Sequence, residues 1–158
     1  MNDLTHVDDD GKLRMVDVSG KATTARRATA TASLRCAATT LQQVRSGTNP
    51  KGSVVAAAEL AGIMAAKRTA ELIPLCHPLP LTHVQLRIAV DEQLPGFSVS
   101  AEVRTNGVTG VEMEALTAVS VACLTLFDML KAVDRTMVIG GIQVTSKSGG
   151  RSGEWRMG

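Results

Sequence analysis

His77 sits in the string Leu75-Cys76-His77-Pro78, with further prolines at Pro74 and Pro80. Each proline lacks an amide hydrogen and pushes the residue before it toward an extended conformation, so the segment is expected as a rigid, irregular loop. A histidine held at a fixed angle suits a general acid, a general base or a hydrogen-bond donor. The plain alternative is a side chain that satisfies loop backbone groups. Metal ligation is a weaker third reading, because the adjacent Cys76 and His77 would face one ion only with unusual backbone geometry.

A second cluster is Gly107-Val108-Thr109-Gly110-Val111-Glu112-Met113-Glu114, glycines leading into a helix start with two carboxylates. Acidic side chains in a first turn are ordinary partners of the helix dipole. In an extended lead-in, Glu112 and Glu114 would instead point to one side as interacting carboxylates, one an acid while the other is a base. Asp128 and Lys131 are three positions apart and share a helical face. A surface ion pair is the default for them. Yet Leu124, Phe127 and Met129 surround an Asp that is costly to bury without a partner, and such a pair can also serve as acid and base.

Cations stand beside glycines or one another in a third group: Lys51-Gly52, Lys67-Arg68 and Lys147-Ser148-Gly149-Gly150-Arg151-Ser152-Gly153. Gly-rich backbone lets amides approach an anion, and Lys or Arg adds the charge-assisted bonds that phosphates favour. The spacing is not that of a Walker A loop. Taken alone, the C-terminal run reads more readily as a floppy tail. Geometry links these groups: Glu114 and Asp128 are 14 residues apart, or ~21 Å along one straight helix. A nucleotide is too short to bridge them, so if both serve one substrate the site is assembled from two chains.

The elements that must position these residues are legible as periodicities. After an irregular arm over residues 1–25, small apolar and hydroxyl residues alternate from Ala28 to Leu34, the period of a strand. A short helix is expected over Thr40–Arg45, and a second from a Ser53 cap to about Ala70. Alternation then marks Val84–Val90 and Phe97–Arg104 as antiparallel neighbours joined through Pro95-Gly96. A long helix over about Val111–Val133 and a strand over about Met137–Thr145 complete the order β-α-α-β-β-α-β, close to the split βαβ pattern of ferredoxin-like α+β folds. The expectation is one domain over residues 1–158, an antiparallel sheet of about four strands with helices on one face, and a mobile Gly-rich tail over 148–158.

Composition sets the bounds. A chain of 158 residues buries roughly 68–70% of its unfolded surface without disulfides or metals. With 44% hydrophobic residues but no tyrosine, one tryptophan and two phenylalanines, its interior must be packed from Ala, Val, Leu, Ile and Met. Lys and Arg number 17 against 15 Asp and Glu, too balanced for a chain that coats nucleic acid through its overall field. Cys36, Cys76 and Cys123 show no paired spacing and are read as reduced thiols. The acidic N-terminus lacks an apolar signal core and no apolar run approaches a membrane span, so a cytoplasmic setting without a membrane is expected.

Several long strings then carry a resemblance. Leu-Thr-His (4–6), Met-Val-Asp-Val-Ser (15–19), Ala-Gly-Ile-Met-Ala-Ala-Lys-Arg-Thr (61–69), Leu-Ile-Pro-Leu-Cys-His-Pro-Leu (72–79), Thr-Gly-Val-Glu-Met-Glu-Ala-Leu-Thr-Ala-Val-Ser-Val-Ala (109–122) and Lys-Ser-Gly-Gly-Arg-Ser-Gly (147–153) resemble the MoaC family in order and spacing. The resemblance implies a ferredoxin-like subunit in a homohexamer, a trimer of dimers with active sites at dimer interfaces. It implies conversion of 3′,8-cyclo-7,8-dihydroguanosine 5′-triphosphate to cyclic pyranopterin monophosphate and pyrophosphate, a step of molybdenum cofactor biosynthesis. No cofactor is then required, and Mg2+ can accompany the triphosphate. By position, the family's catalytic residues fall on Lys51, His77, Glu112, Glu114, Asp128 and Lys131. Asp128 and Lys131 are expected as the acid/base pair, with His77 and the glutamates positioning the base. Leu75, Cys76, His77, Met113 and Glu114 are expected to contact the substrate, and Lys51, Lys67, Lys147, Arg26 and Arg151 to neutralise its phosphates and stabilise the departing pyrophosphate.

Ser53, Val108 and Arg151 depart from the family pattern, where Asp, a basic residue and Lys are common. Ser53 still caps a helix and Arg151 keeps its charge, while Val108 removes a phosphate contact. Two other classes compete. An RNA-binding module on this fold stacks bases on aromatic rings, and only Phe97, Phe127 and Trp155 are present. A non-catalytic nucleotide sensor would want the same cations and an oligomer.

Overall fold

The computed structural model describes residues 4–47 and 53–158. Lys51 therefore lies outside the described residues. Strand β1 spans Thr24–Arg35, helix α1 Ala38–Arg45, α2 Val54–Ala66, α3 Thr69–Leu72, β2 Leu81–Asp91, β3 Gly96–Gly107, α4 Glu112–Leu130, β4 Val138–Ser148 and β5 Trp155–Arg156. The strands form one antiparallel sheet in the order β2-β3-β1-β4-β5. Because β3 lies between β1 and β2, the connection from β1 through the helices to β2 crosses over a strand, which is the split βαβ arrangement. The α+β, ferredoxin-like expectation agrees with this topology.

Alternation explains which face is covered. Ala28, Ala30, Ala32 and Leu34 of β1 and Phe97, Val99, Ala101 and Val103 of β3 are buried, and their neighbours on the other face are Thr, Ser, Arg and Glu. The buried set meets Val111, Ala115, Ala118, Val119, Ala122, Leu126 and Leu130 along α4. Helix α4 packs on β1, β3 and β4, while α2 packs on α4 and β2. Small side chains bring these layers close. A Cβ added to Gly62 of α2 would fall 2.8 Å from the Ala118 carbonyl oxygen of α4 and 3.1 Å from Leu86 Cγ.

Local signals set several boundaries. Ser53 caps α2, its hydroxyl accepting from the Ala56 amide at 3.3 Å. The helix stops at Ala66, short of the expected Ala70, and the Thr69 hydroxyl donates to the Ala66 carbonyl at 2.9 Å before a separate turn, α3, begins. Past α4, buried Asp134 accepts from the Ala37 amide and both the amide and hydroxyl of Thr136 at 2.8 Å, tying the α4–β4 turn to the start of α1. Two further differences from the sequence reading concern the sheet and its longest helix. Trp155 pairs with Lys147 and Arg156 with Ser146, so part of the tail forms a fifth strand where about four were expected. Helix α4 is also long and apolar enough, by length and composition, to cross a membrane, contrary to the reading that no such run exists. Here nine of its residues are buried, which is the pattern of a core helix.

Candidate active site

Where β1, β4 and the start of α4 meet, an open cleft of about 610 Å3 is lined by Lys21, Arg26, Thr109, Glu112, Lys147 and Arg151 among others. Arg26 holds its rim: Nε donates to the Gly107 carbonyl at 2.9 Å and an Nη to the Val108 carbonyl at 3.2 Å. The segment after β4 runs directly across Arg26. Gly150 has φ +72°, and a Cβ there would fall 2.2 Å from an Arg26 Nη. That backbone favours glycine, and a side chain there would push the guanidinium aside. Opposite, Lys147 Nζ lies 3.1 Å from a Glu112 carboxylate oxygen. The three predicted cations Arg26, Lys147 and Arg151 thus converge in one place.

Glu112 and Glu114 do not share a side. The extended lead-in expected for them is replaced by the first turn of α4, whose 100° step per residue aims alternate side chains apart. Glu112 faces the cationic cleft. Glu114 turns inward, 3% exposed, where one carboxylate oxygen accepts from Cys76 Sγ at 3.8 Å and the other is buried without a hydrogen-bond partner. Burial, reinforced by the Glu112 charge, pushes the Glu114 carboxyl above its ordinary range. The same burial, with the Glu114 charge beside it, pushes the Cys76 thiol up to about 11, so the thiol stays protonated as donor. The two carboxylates are thus set in different surroundings.

His77 follows in the same loop, and its Nε2 lies 2.7 Å from the Val16 carbonyl oxygen. A carbonyl only accepts, so Nε2 carries the hydrogen and a neutral ring keeps Nδ1 as acceptor. Within one chain, this is the backbone-satisfying role weighed for His77, and it fastens the Met15–Val18 arm onto the loop. Leu75 is half-buried beside it, and Met113 stands on the exposed side of the α4 start.

The other predicted residues are elsewhere. Asp128 and Lys131 pair at 2.6 Å, both more than half exposed, at the opposite end of α4 from Glu112. The separation along the axis is ~24 Å. Lys67, the C-cap of α2, is exposed. One chain therefore gathers Arg26, Lys147, Arg151 and Glu112 in the cleft and, separately, Glu114 against the Cys76-His77 loop, and leaves Asp128, Lys131 and Lys67 apart from both. Sequence reasoning missed Lys21 and Thr109 as cleft residues. No local signal marked them: it is the pairing of β1 with β4 that places the residues before β1 next to Lys147-Ser148. No group of three or more His, Cys, Asp and Glu among the described residues is placed to hold a metal ion.

A family model described as the MoaC family matches residues 15–150. The chain belongs to the MoaC family. It is 57% identical over 152 residues to a protein of Nostoc sp. named cyclic pyranopterin monophosphate synthase, covering 96% of this chain and 90% of that protein. A protein of the same name from Cereibacter sphaeroides is 57% identical over 155 residues, covering 98% of each chain. The matched stretch contains the Arg26 rim, the Cys76-His77 loop, the α4 carboxylates and the Asp128–Lys131 pair. The cleft and the buried acid are thus features of a MoaC-family chain.

Proposed function

We propose that this chain is a lyase of molybdenum cofactor biosynthesis that forms cyclic pyranopterin monophosphate from 3′,8-cyclo-7,8-dihydroguanosine 5′-triphosphate. The observation that carries the reading is the cationic cleft at the start of α4 in a chain of this family. Lys21, Arg26, Lys147 and Arg151 suit a triphosphate, and Glu114, Cys76 and His77 suit the polar edge of a bicyclic base. A substrate hydroxyl attacks the α-phosphorus, its proton leaves to a base, and the α–β bond breaks to release pyrophosphate. Cations fixed around the β- and γ-phosphates stabilise the charge that accumulates as that bond breaks. Mg2+ accompanying the triphosphate would neutralise part of the phosphate charge alongside these cations.

In this reading the acid/base pair Asp128–Lys131 reaches the substrate from a second copy of the chain. Helix α2 is apolar almost all round, and Leu60, Met64 and Leu124 are 59%, 51% and 58% exposed. A helix layer of that kind is expected to bury its outer surface against something. A homohexamer built as a trimer of dimers, acting in the cytoplasm, is the assembly we assign. Of the three aromatic rings, Phe97 is fully buried and Phe127 packs against the core, which leaves Trp155 on the two-residue edge strand as the one exposed ring, too few to stack a run of RNA bases.

Incubating the protein with the cyclised triphosphate and measuring pyrophosphate and pterin tests the proposal. Wild-type protein should release both. Asp128→Asn and Lys131→Ala should each lower turnover by roughly 10²–10⁴-fold, the range for loss of a general acid or base, with assembly intact by sedimentation. Turnover unchanged in both variants rejects their assigned role.

A further inference from the structure

Glu112 occupies an unexpected place. The cleft wall carries Lys21, Arg26, Lys147 and Arg151, and Glu112 is the acidic side chain among the described residues lining it. Its carboxylate does not extend into solvent. It lies 3.1 Å from Lys147 Nζ, with the two side chains only 28% and 33% exposed. Gly110 makes the room: a Cβ there would fall 1.9 Å from one Glu112 carboxylate oxygen and 2.7 Å from the carboxyl carbon. Position also favours the charge, because Glu112 is the first residue of α4, where unpaired amides and the helix dipole attract an anion. A carboxylate so placed imitates the charge and acceptor oxygens of one phosphoryl group.

We propose that Glu112 is a built-in counter-anion of the cleft, pairing with Lys147 between turnovers, swinging off as phosphate arrives and returning as pyrophosphate leaves. This rests on reading the cleft as the triphosphate site and adds a means of product exit to it. A cluster of cations that binds a triphosphate well also holds pyrophosphate well, so release leaves like charges facing one another. A tethered carboxylate replaces the departing anion at Lys147 and removes part of that repulsion. The seat at Gly110 keeps it within reach without filling the cleft.

The experiment is calorimetric titration of inorganic pyrophosphate into the full-length chain at low ionic strength, with a chelator present so that no divalent cation bridges carboxylate and phosphate. Glu112→Gln should bind pyrophosphate roughly three- to tenfold more tightly, the scale of a partly exposed ion pair plus relief of its repulsion. Gly110→Ala, which keeps the carboxylate but closes its seat, should give a similar gain, and the double variant little more, because both remove one interaction. Added salt should shrink the gain. Lys147→Ala should weaken binding in any case. If both Glu112→Gln and Gly110→Ala bind no more tightly than wild type while Lys147→Ala binds worse, the counter-anion role is overturned and the cleft remains the phosphate site. If Lys147→Ala binds as well as wild type, both readings fall. Should Gly110→Ala not fold, Glu112→Gln decides alone.

Discussion

At the scale of single residues, the two glutamates of α4 show how strongly surroundings divide identical side chains. Glu112 meets a lysine in an open cleft, and Glu114, two positions on, is buried beside a thiol. The sign of the consequence follows from linkage. The folded state holds the Glu114 proton more tightly than the unfolded chain, whose carboxyl has a pKa of about 4.3. Ionising Glu114 therefore favours unfolding: the cost is absent below the unfolded pKa, grows as pH rises through the folded pKa, and is constant above it. Glu114→Gln keeps the shape and removes the cost, so it should raise Tm near pH 7. Near pH 4 the gain should vanish. Thermal melts of both proteins at the two pH values check this, and a Gln variant less stable at neutral pH would contradict the buried, uncompensated carboxylate. The neighbouring identity of residues 112 and 114 was plain in the sequence; their divergence was not, because it depends on whether the segment is extended or helical.

At the scale of elements, the decisive contact is the crossing of α2 over α4. The Ala-rich sequence of α2 implied burial on several sides, and the Ser53 cap fixed its start. Gly62 shows how near the two helices run, since any side chain there meets the Ala118 carbonyl and Leu86. Backbone cannot retreat as a flexible side chain does, so Gly62→Ala should cost about 1–3 kcal/mol, the range for overpacking, despite alanine's better helix propensity. Denaturant titration measures it, and equal or greater stability would mean that the helices separate freely. The strands were legible wherever small apolar and polar residues alternate. The pairing of Trp155-Arg156 onto β4 was not, because a two-residue strand has no period to read.

At the scale of the whole molecule, α4 is the member that both joins and divides the site. Its first turn carries Glu112 and Glu114, and its last carries Asp128, so no single copy brings all three around one small substrate. If the site is shared, two inactive variants should rescue each other. Asp128→Asn mixed with His77→Ala, after dissociation and reassembly, should recover roughly a quarter of wild-type turnover, because a random pair of chains then supplies one intact site in four. Each variant alone should remain near background. A mixture that stays at background after demonstrated subunit exchange would place the two residues in one chain's site and remove the shared-site argument.

The sequence by itself determined the α+β class, the order of the four longer strands and three longer helices, the Ser53 cap, the family and the residue types available for anion and proton chemistry. These follow from local periodicity and from strings long enough to be specific. Only the tertiary structure decided that Arg26 braces the Gly107–Val108 turn, that Lys147 faces Glu112, that Glu114 is buried against Cys76, and that Asp128 stands a helix length away. Each of those is a relation between residues distant in the chain, set by strand register and helix packing, and no local pattern encodes it.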